Sequence, residues 1–171
     1  MNPFSKIIAI LITVILIFIV PLLYMAQKQD VISQSYVSNK TTEFIDSIKN
    51  CGYISRDMYM DFVHNIDATN NLYTIDLVHG KKIVEPLYDE TTGAFLEDYN
   101  IYYYNYYQDN ILETLESGKD YKLSQGDYIS ITVVNRTKTI ATKLMELFYS
   151  SDLPDEQIIV TYGGVIRDEM D

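Results

Sequence analysis

The side chains of this chain that could do chemistry are two histidines, one cysteine and a crowd of tyrosines. His64 and His79 stand far apart, and neither has a second ligand at a metal spacing such as His-Glu-x-x-His. His64 falls one position past the apolar face of a helical stretch and reads as a boundary residue. His79-Gly80 reads as a turn at a strand end. Cys51 has no Cys-x-x-Cys partner and no paired histidine, so it reads as a small apolar residue closing a helix. Neither Gly-x-Ser-x-Gly, nor a P-loop, nor a dinucleotide fingerprint occurs. Gly126-Asp127 and Gly163-Gly164 read as turns, because no lysine and helix start follow them as a phosphate cradle requires. Asp152, Asp155 and Glu156 lack the alternating oxygen ligands of a calcium loop and read as a solvated acidic turn. The expectation is a protein that is no enzyme and uses neither cofactor nor metal.

Tyrosine is the one excess. There are 16 tyrosines and no tryptophan, and Tyr99, Tyr102, Tyr103, Tyr104, Tyr106 and Tyr107 crowd into one short stretch. Tyrosine suits an interface because its ring is apolar and its hydroxyl can hydrogen-bond, so one reading is contact with a partner subunit. The other is a strand whose alternate residues fill a face against the core. Asn39-Lys40-Thr41 and Asn135-Arg136-Thr137 match glycosylation acceptors, a match of little meaning in a bacterial protein.

The element that must position these groups is the N-terminal stretch. From Ile7 through Ala9, Thr13 and Pro21 to Met25 there is no charged residue. As a helix this run reaches about 28 Å, close to the roughly 30 Å of bilayer hydrocarbon. A cleaved secretory signal has a shorter apolar core and small residues around the cut, and Tyr24-Met25-Ala26-Gln27 lacks that pattern. Lys6 precedes the run and Lys28 follows it, so the positive-inside rule puts the N terminus in the cytoplasm and the rest outside. Beyond the span about 140 residues remain, enough for one compact domain. The net charge is −11 and the sequence pI about 4.5, which excludes a nucleic-acid partner. A lone cysteine forms no internal disulfide, which fits a bacterial envelope protein.

The helix is expected to continue past the bilayer. No glycine or proline lies between Ala26 and Asn50, and Val37, Thr41, Phe44 and Ile48 fall at spacings of three and four, one helical face. Pro21 removes one helical hydrogen bond and predicts a kink. Gly52 supplies a stop. Ser55 can cap a second helix whose apolar face is Tyr59, Phe62, Val63 and Ile66. Leu72 to Val78 reads as a strand bounded by His79-Gly80, with Lys82 to Leu87 as its partner. Residues 89–93 read as a loop, Tyr99 to Tyr104 as extended, and Gln108 to Ser117 as a helix stopped by Gly118. Tyr128 to Val134 alternates as a strand with Ile129, Ile131 and Val133 on one face. Thr139 to Tyr149 reads as a helix with Ile140, Leu144, Leu147 and Phe148 inward, closed by Pro154. Ile158 to Tyr162 is a last strand, turned by Gly163-Gly164 before an acidic tail.

This arrangement resembles the membrane-anchored pseudopilins of the tight-adherence pilus, and more closely the TadE-like proteins of Firmicutes secretion and conjugation-like loci. The resemblance is carried by the Cys51-Gly52-Tyr53-Ile54-Ser55 break after the long helix, the Gly126-Asp127 turn leading into Ile129 to Asn135, and Tyr162-Gly163-Gly164. Pilins carry a glycine before the apolar segment and a glutamate at its fifth position, and Asn2 to Lys6 offers neither, so the resemblance does not extend to peptidase processing or glutamate-guided assembly. It implies an α+β, pilin-like fold: residues 1–27 a transmembrane anchor, 28–52 an extracytoplasmic extension of the same helix, and 53–171 a small domain with a mainly antiparallel sheet and two or three short helices. It implies a structural or assembly subunit whose partners are the lipid bilayer and other pilin-like or envelope subunits, with self-assembly through the N-terminal helix. The alternative is a membrane-anchored extracytoplasmic binding or sensor domain. A sensor needs a cytoplasmic part, and the few residues before Ile7 favour the structural role.

Overall fold

The computed structural model describes residues 3–149 and 158–167, the side chains at 97, 148 and 149 excepted. It is α+β, with one long helix laid on a four-stranded antiparallel sheet. Helix α1 runs unbroken from Pro3 to Cys51, through Pro21. Its apolar N-terminal half is exposed to its surroundings and is long and apolar enough to cross a membrane. Its C-terminal half is the backbone of the core. Val37, Thr41, Phe44, Ile45 and Ile48 are buried at helical spacing, and the small residues Ala26 and Ser33 extend that face toward the apolar half. Gly52, at φ 71°, ends the helix in the left-handed region that costs glycine nothing, with its N–H on the Ile48 carbonyl at 2.9 Å.

After the two-residue strand β1 (Tyr53–Ile54), helix α2 (Arg56–Asp67) starts on Ser55, whose hydroxyl accepts the Met58 N–H at 3.2 Å. Phe62 of α2 stacks on Phe44 of α1 with ring centroids 4.5 Å apart. Strands β2 (Tyr73–Tyr88) and β3 (Phe95–Tyr107) form a long hairpin, then α3 (Gln108–Glu116) and the short β4 (Tyr121–Lys122) lead to β5 (Tyr128–Asn135), α4 (Ile140–Tyr149) and β6 (Ile159–Val165). The sheet order is β3-β2-β5-β6, with β1 and β4 paired separately. Ile129, Ile131 and Val133 of β5 face α1 and have no exposed surface.

Contacts fix the direction of the sheet. Ile159 to Thr161 line a groove with Gln34 to Asn39, the Tyr162 hydroxyl donates to Asp46 at 3.2 Å, and the Arg167 N–H reaches the Lys49 carbonyl at 2.8 Å. Strand β6 therefore runs alongside α1 in the same direction, away from its apolar half. Antiparallel pairing makes β2 run the same way, so the hairpin tip lies at the end remote from the apolar half of α1.

Several expectations are corrected. His79-Gly80 is no turn: β2 passes straight through it, because β5 pairs Tyr73 to Gly80 on one side and β3 pairs Val78 onward on the other. Lys82 to Leu87 therefore continues β2 and pairs with β3. Gly163-Gly164 is no turn either and lies inside β6, where a Cβ on Gly163 would sit 2.7 Å from the Ile129 carbonyl oxygen. In α4 the inward residues are Ala141 and Thr142, while Leu144 is half-buried and Ile140 and Leu147 are exposed; the helix meets α1 over a face of small residues. The Phe148 side chain lies outside the described residues. So do residues 150–157 and 168–171, which include the acidic turn, Pro154 and the acidic tail.

Candidate functional site

Two regions stand out. The first is the part of the β2–β3 hairpin beyond the end of β5. Tyr128 pairs with Gly80, and past that point β2 has β3 as its only strand partner among the described residues. Lys81 to Tyr88 extends about 26 Å as strand beyond the sheet proper. The tip is tied by Asp89, which accepts the Thr91 and Thr92 N–H groups at 2.9 and 2.6 Å, and these donors hold its carboxyl below the usual range. Gly93 closes the turn at φ 66°.

Register assigns the faces of this arm. Lys82/Tyr103, Val84/Ile101 and Pro86/Tyr99 share one face, and Lys81/Tyr104 and Ile83/Tyr102 the other. Neither face is covered. Tyr99, Tyr102, Tyr103, Tyr104 and Tyr107 are 42–61% exposed, and only Tyr106 is half-buried. The Tyr102 hydroxyl donates to Glu85 at 2.6 Å, which raises its pKa, while Phe95 packs against Tyr88 and Tyr99 at 5.9 and 5.5 Å. Strand β3 is a sheet edge, and from Asn100 to Tyr107 it carries no charge and no proline, the devices that usually blunt an edge.

The second region is the root of the arm, and sequence reasoning missed it. His79 is 3% exposed, and both its ring nitrogens are engaged. Nε2 lies 3.0 Å from Asp127 Oδ2 and Nδ1 2.7 Å from the Tyr121 hydroxyl. A carboxylate only accepts, so Nε2–H donates to Asp127, and in the neutral ring Nδ1 accepts from the phenol. Asp127 also accepts the Ser124 N–H and the Lys82 N–H, each at 2.8 Å. The Lys82 bond replaces a strand partner, because β5 has already ended. Burial pushes the Asp127 carboxyl up, but the Ser124 and Lys82 amides and His79 outweigh it and hold it below its ordinary value. Burial, with Tyr106 and Asp127 nearby, pushes the Tyr121 phenol up to about 12, so it stays protonated and can donate.

Above this network opens a cavity of about 280 Å³. His79 and Tyr121 line its floor, Lys81, Lys122, Tyr106 and Ser124 its walls. The Tyr106 ring stacks on His79 at 5.7 Å. The signal available in the sequence was the turn before β5: Gly126, at φ 88°, allows the Asp127 N–H to close on the Ser124 carbonyl at 3.0 Å, which aims the carboxylate back at β2.

The other residues singled out from the sequence are distributed elsewhere. Ile7, Ala9, Thr13, Pro21 and Met25 lie on the exposed half of α1, where the Thr13 hydroxyl donates to the Ala9 carbonyl at 2.8 Å. Val37, Phe44 and Ile48 lie in the core. His64 is exposed, and Cys51 is half-buried with its thiol on the Tyr53 carbonyl at 3.3 Å. Among the described residues no group of three His, Cys, Asp or Glu could hold a metal ion. No family model, no curated protein and no solved structure matches the chain.

Proposed function

We propose that this chain is a membrane-anchored, non-enzymatic assembly subunit of a pilin-like kind, serving a tight-adherence-type or related cell-envelope apparatus of a bacterium. The observation that carries the reading is the division of α1. One continuous helix exposes an apolar half and docks its other half on an antiparallel sheet, so the anchor and the folded domain share one rod. The exposed half inserts in the bilayer with the N terminus cytoplasmic, as the Lys6 side of the span favours. In lipid, helices associate through shape and small or hydroxyl residues rather than hydrophobicity, and Ala9 and Thr13 offer such a surface. The tyrosine-rich arm is the second contact, reaching a neighbouring subunit at the end remote from the membrane.

The test replaces Ile7 to Met25 with an unrelated apolar helix of equal length. The swapped protein should still reach the membrane and fold, yet lose cross-linking between copies in the membrane. Full retention of cross-linking would reduce the helix to a tether. The His79 cavity favours the second reading, an extracytoplasmic binding domain on a membrane anchor, and retained cross-linking together with ligand binding would make that the better account.

A further inference from the structure

The cavity at the root of the arm has no part in the assembly reading. Its walls carry an excess of hydrogen-bond donors over acceptors. Among the described residues the ammonium groups of Lys81 and Lys122 make no ion pair, and the hydroxyls of Tyr106 and Ser124 make no hydrogen bond. Elsewhere Lys40, Lys49 and Lys138 are each paired with a carboxylate. Among the described residues Lys6, Lys119 and Lys143 are also without an ion pair, so what marks Lys81 and Lys122 is that both line the same cavity.

Asp127, the only carboxylate on the lining among the described residues, cannot serve those lysines. It is 2% exposed, and its oxygens already accept from Ser124, Lys82 and His79. His79 is likewise committed at both nitrogens, so the floor is internally satisfied while the walls are not. Unpaired donors around a concavity suit an oxyanion, since each hydrogen bond to an ionised acceptor is stronger than one between neutral groups.

We infer that this cavity is a binding site for a small oxyanion, of the phosphate or short dicarboxylate class, held by Lys81, Lys122, Tyr106 and Ser124 over the His79–Tyr121 floor. Its volume of about 280 Å³ admits either. The Tyr121 hydroxyl is hydrogen-bonded to His79, so it shapes the floor and contributes no charge to the ligand.

The experiment uses the full chain, isotopically labelled, in a non-ionic detergent at constant ionic strength. Inorganic phosphate and succinate are titrated in separately, with chloride as the reference, and the His79, Tyr106 and Tyr121 ring signals are followed by NMR. The expected result is saturable shifts confined to these rings for at least one of the two probes, the tighter one identifying the ligand's acid group. The double variant Lys81→Gln/Lys122→Gln should bind at least tenfold more weakly, and Tyr106→Phe about threefold more weakly. Lys143→Gln, on α4, should bind as the parent does. Absence of saturable shifts with both probes would overturn the inference. So would undiminished binding by the double variant, or equal weakening by Lys143→Gln, which would mark the effect as general charge screening.

Discussion

Strand β2 is two strands in one, and its halves obey different rules. From Tyr73 to Gly80 it lies on β5, and Ile75, Leu77 and His79 are buried. From Lys81 to Tyr88 it has β3 alone as a strand partner among the described residues, and no side chain there is buried. Both halves carry β-branched and aromatic side chains, but the first has one charged residue, Asp76, while the second has Lys81, Lys82 and Glu85 and also Pro86. Burial follows from what lies across the sheet, and the chain's local preference for extended backbone is the same with or without a core beneath it. A two-stranded ribbon is marginal alone, so the arm depends on its root, where Asp127 takes over from β5 as acceptor for the Lys82 N–H.

The sharpest way to break the comparison is to delete equal volume from each half's surroundings. Ile131→Ala, opposite Leu77 in the buried sheet, should cost about 3–4 kcal/mol in chemical denaturation, by loss of burial plus the cavity left behind. Ile101→Ala, opposite Val84 on the arm, should stay within about 0.5 kcal/mol. A comparable loss at both positions would mean that the arm is packed against something in solution.

The root comes next. Asp127→Ala should cost about 3 kcal/mol, because it strands the His79 N–H and two backbone donors in a buried place. The pH dependence has a definite sign. The folded-state pKa of Asp127 lies below its unfolded value, so its stabilisation is complete above the ordinary aspartate range near pH ~4 and fades as pH falls through the lower folded value. The stability difference between the parent and Asp127→Asn should therefore narrow below about pH 4. A difference that stayed constant down to strong acid would remove Asp127 from the root's electrostatics.

Two glycines extend the contrast. Gly163→Ala in β6 should cost about 2 kcal/mol, since the new methyl group meets backbone at 2.7 Å, whereas Gly93→Ala at the arm tip meets nothing within 4 Å and should cost about 1 kcal/mol through its positive φ alone. The smallest effect is expected from Tyr99→Ser together with Tyr103→Ser: thermal stability unchanged, and cross-linking between copies reduced. Cross-linking at the parent level would leave the arm without a role in assembly.

What the sequence determined by itself is what local chemistry decides. A run without charges from Ile7 to Met25 has no comfortable place except an apolar medium, and the absence of glycine or proline from Ala26 to Asn50 carries the same helix into the domain. The spacing of Val37, Phe44 and Ile48, the Ser55 cap, the Gly52 and Gly118 stops and the alternation of Ile129, Ile131 and Val133 are legible because each depends on backbone geometry within a few residues. Tertiary structure decided the rest. Gly80 and Gly163 look like turn residues until neighbouring strands hold them extended, and Ile140 and Leu147 of α4 are turned out because the helix meets α1 over its small residues. The His79 network was invisible for the same reason: His79, Tyr121 and Asp127 are brought together from β2, β4 and the turn before β5, and no spacing along one chain encodes a contact among three.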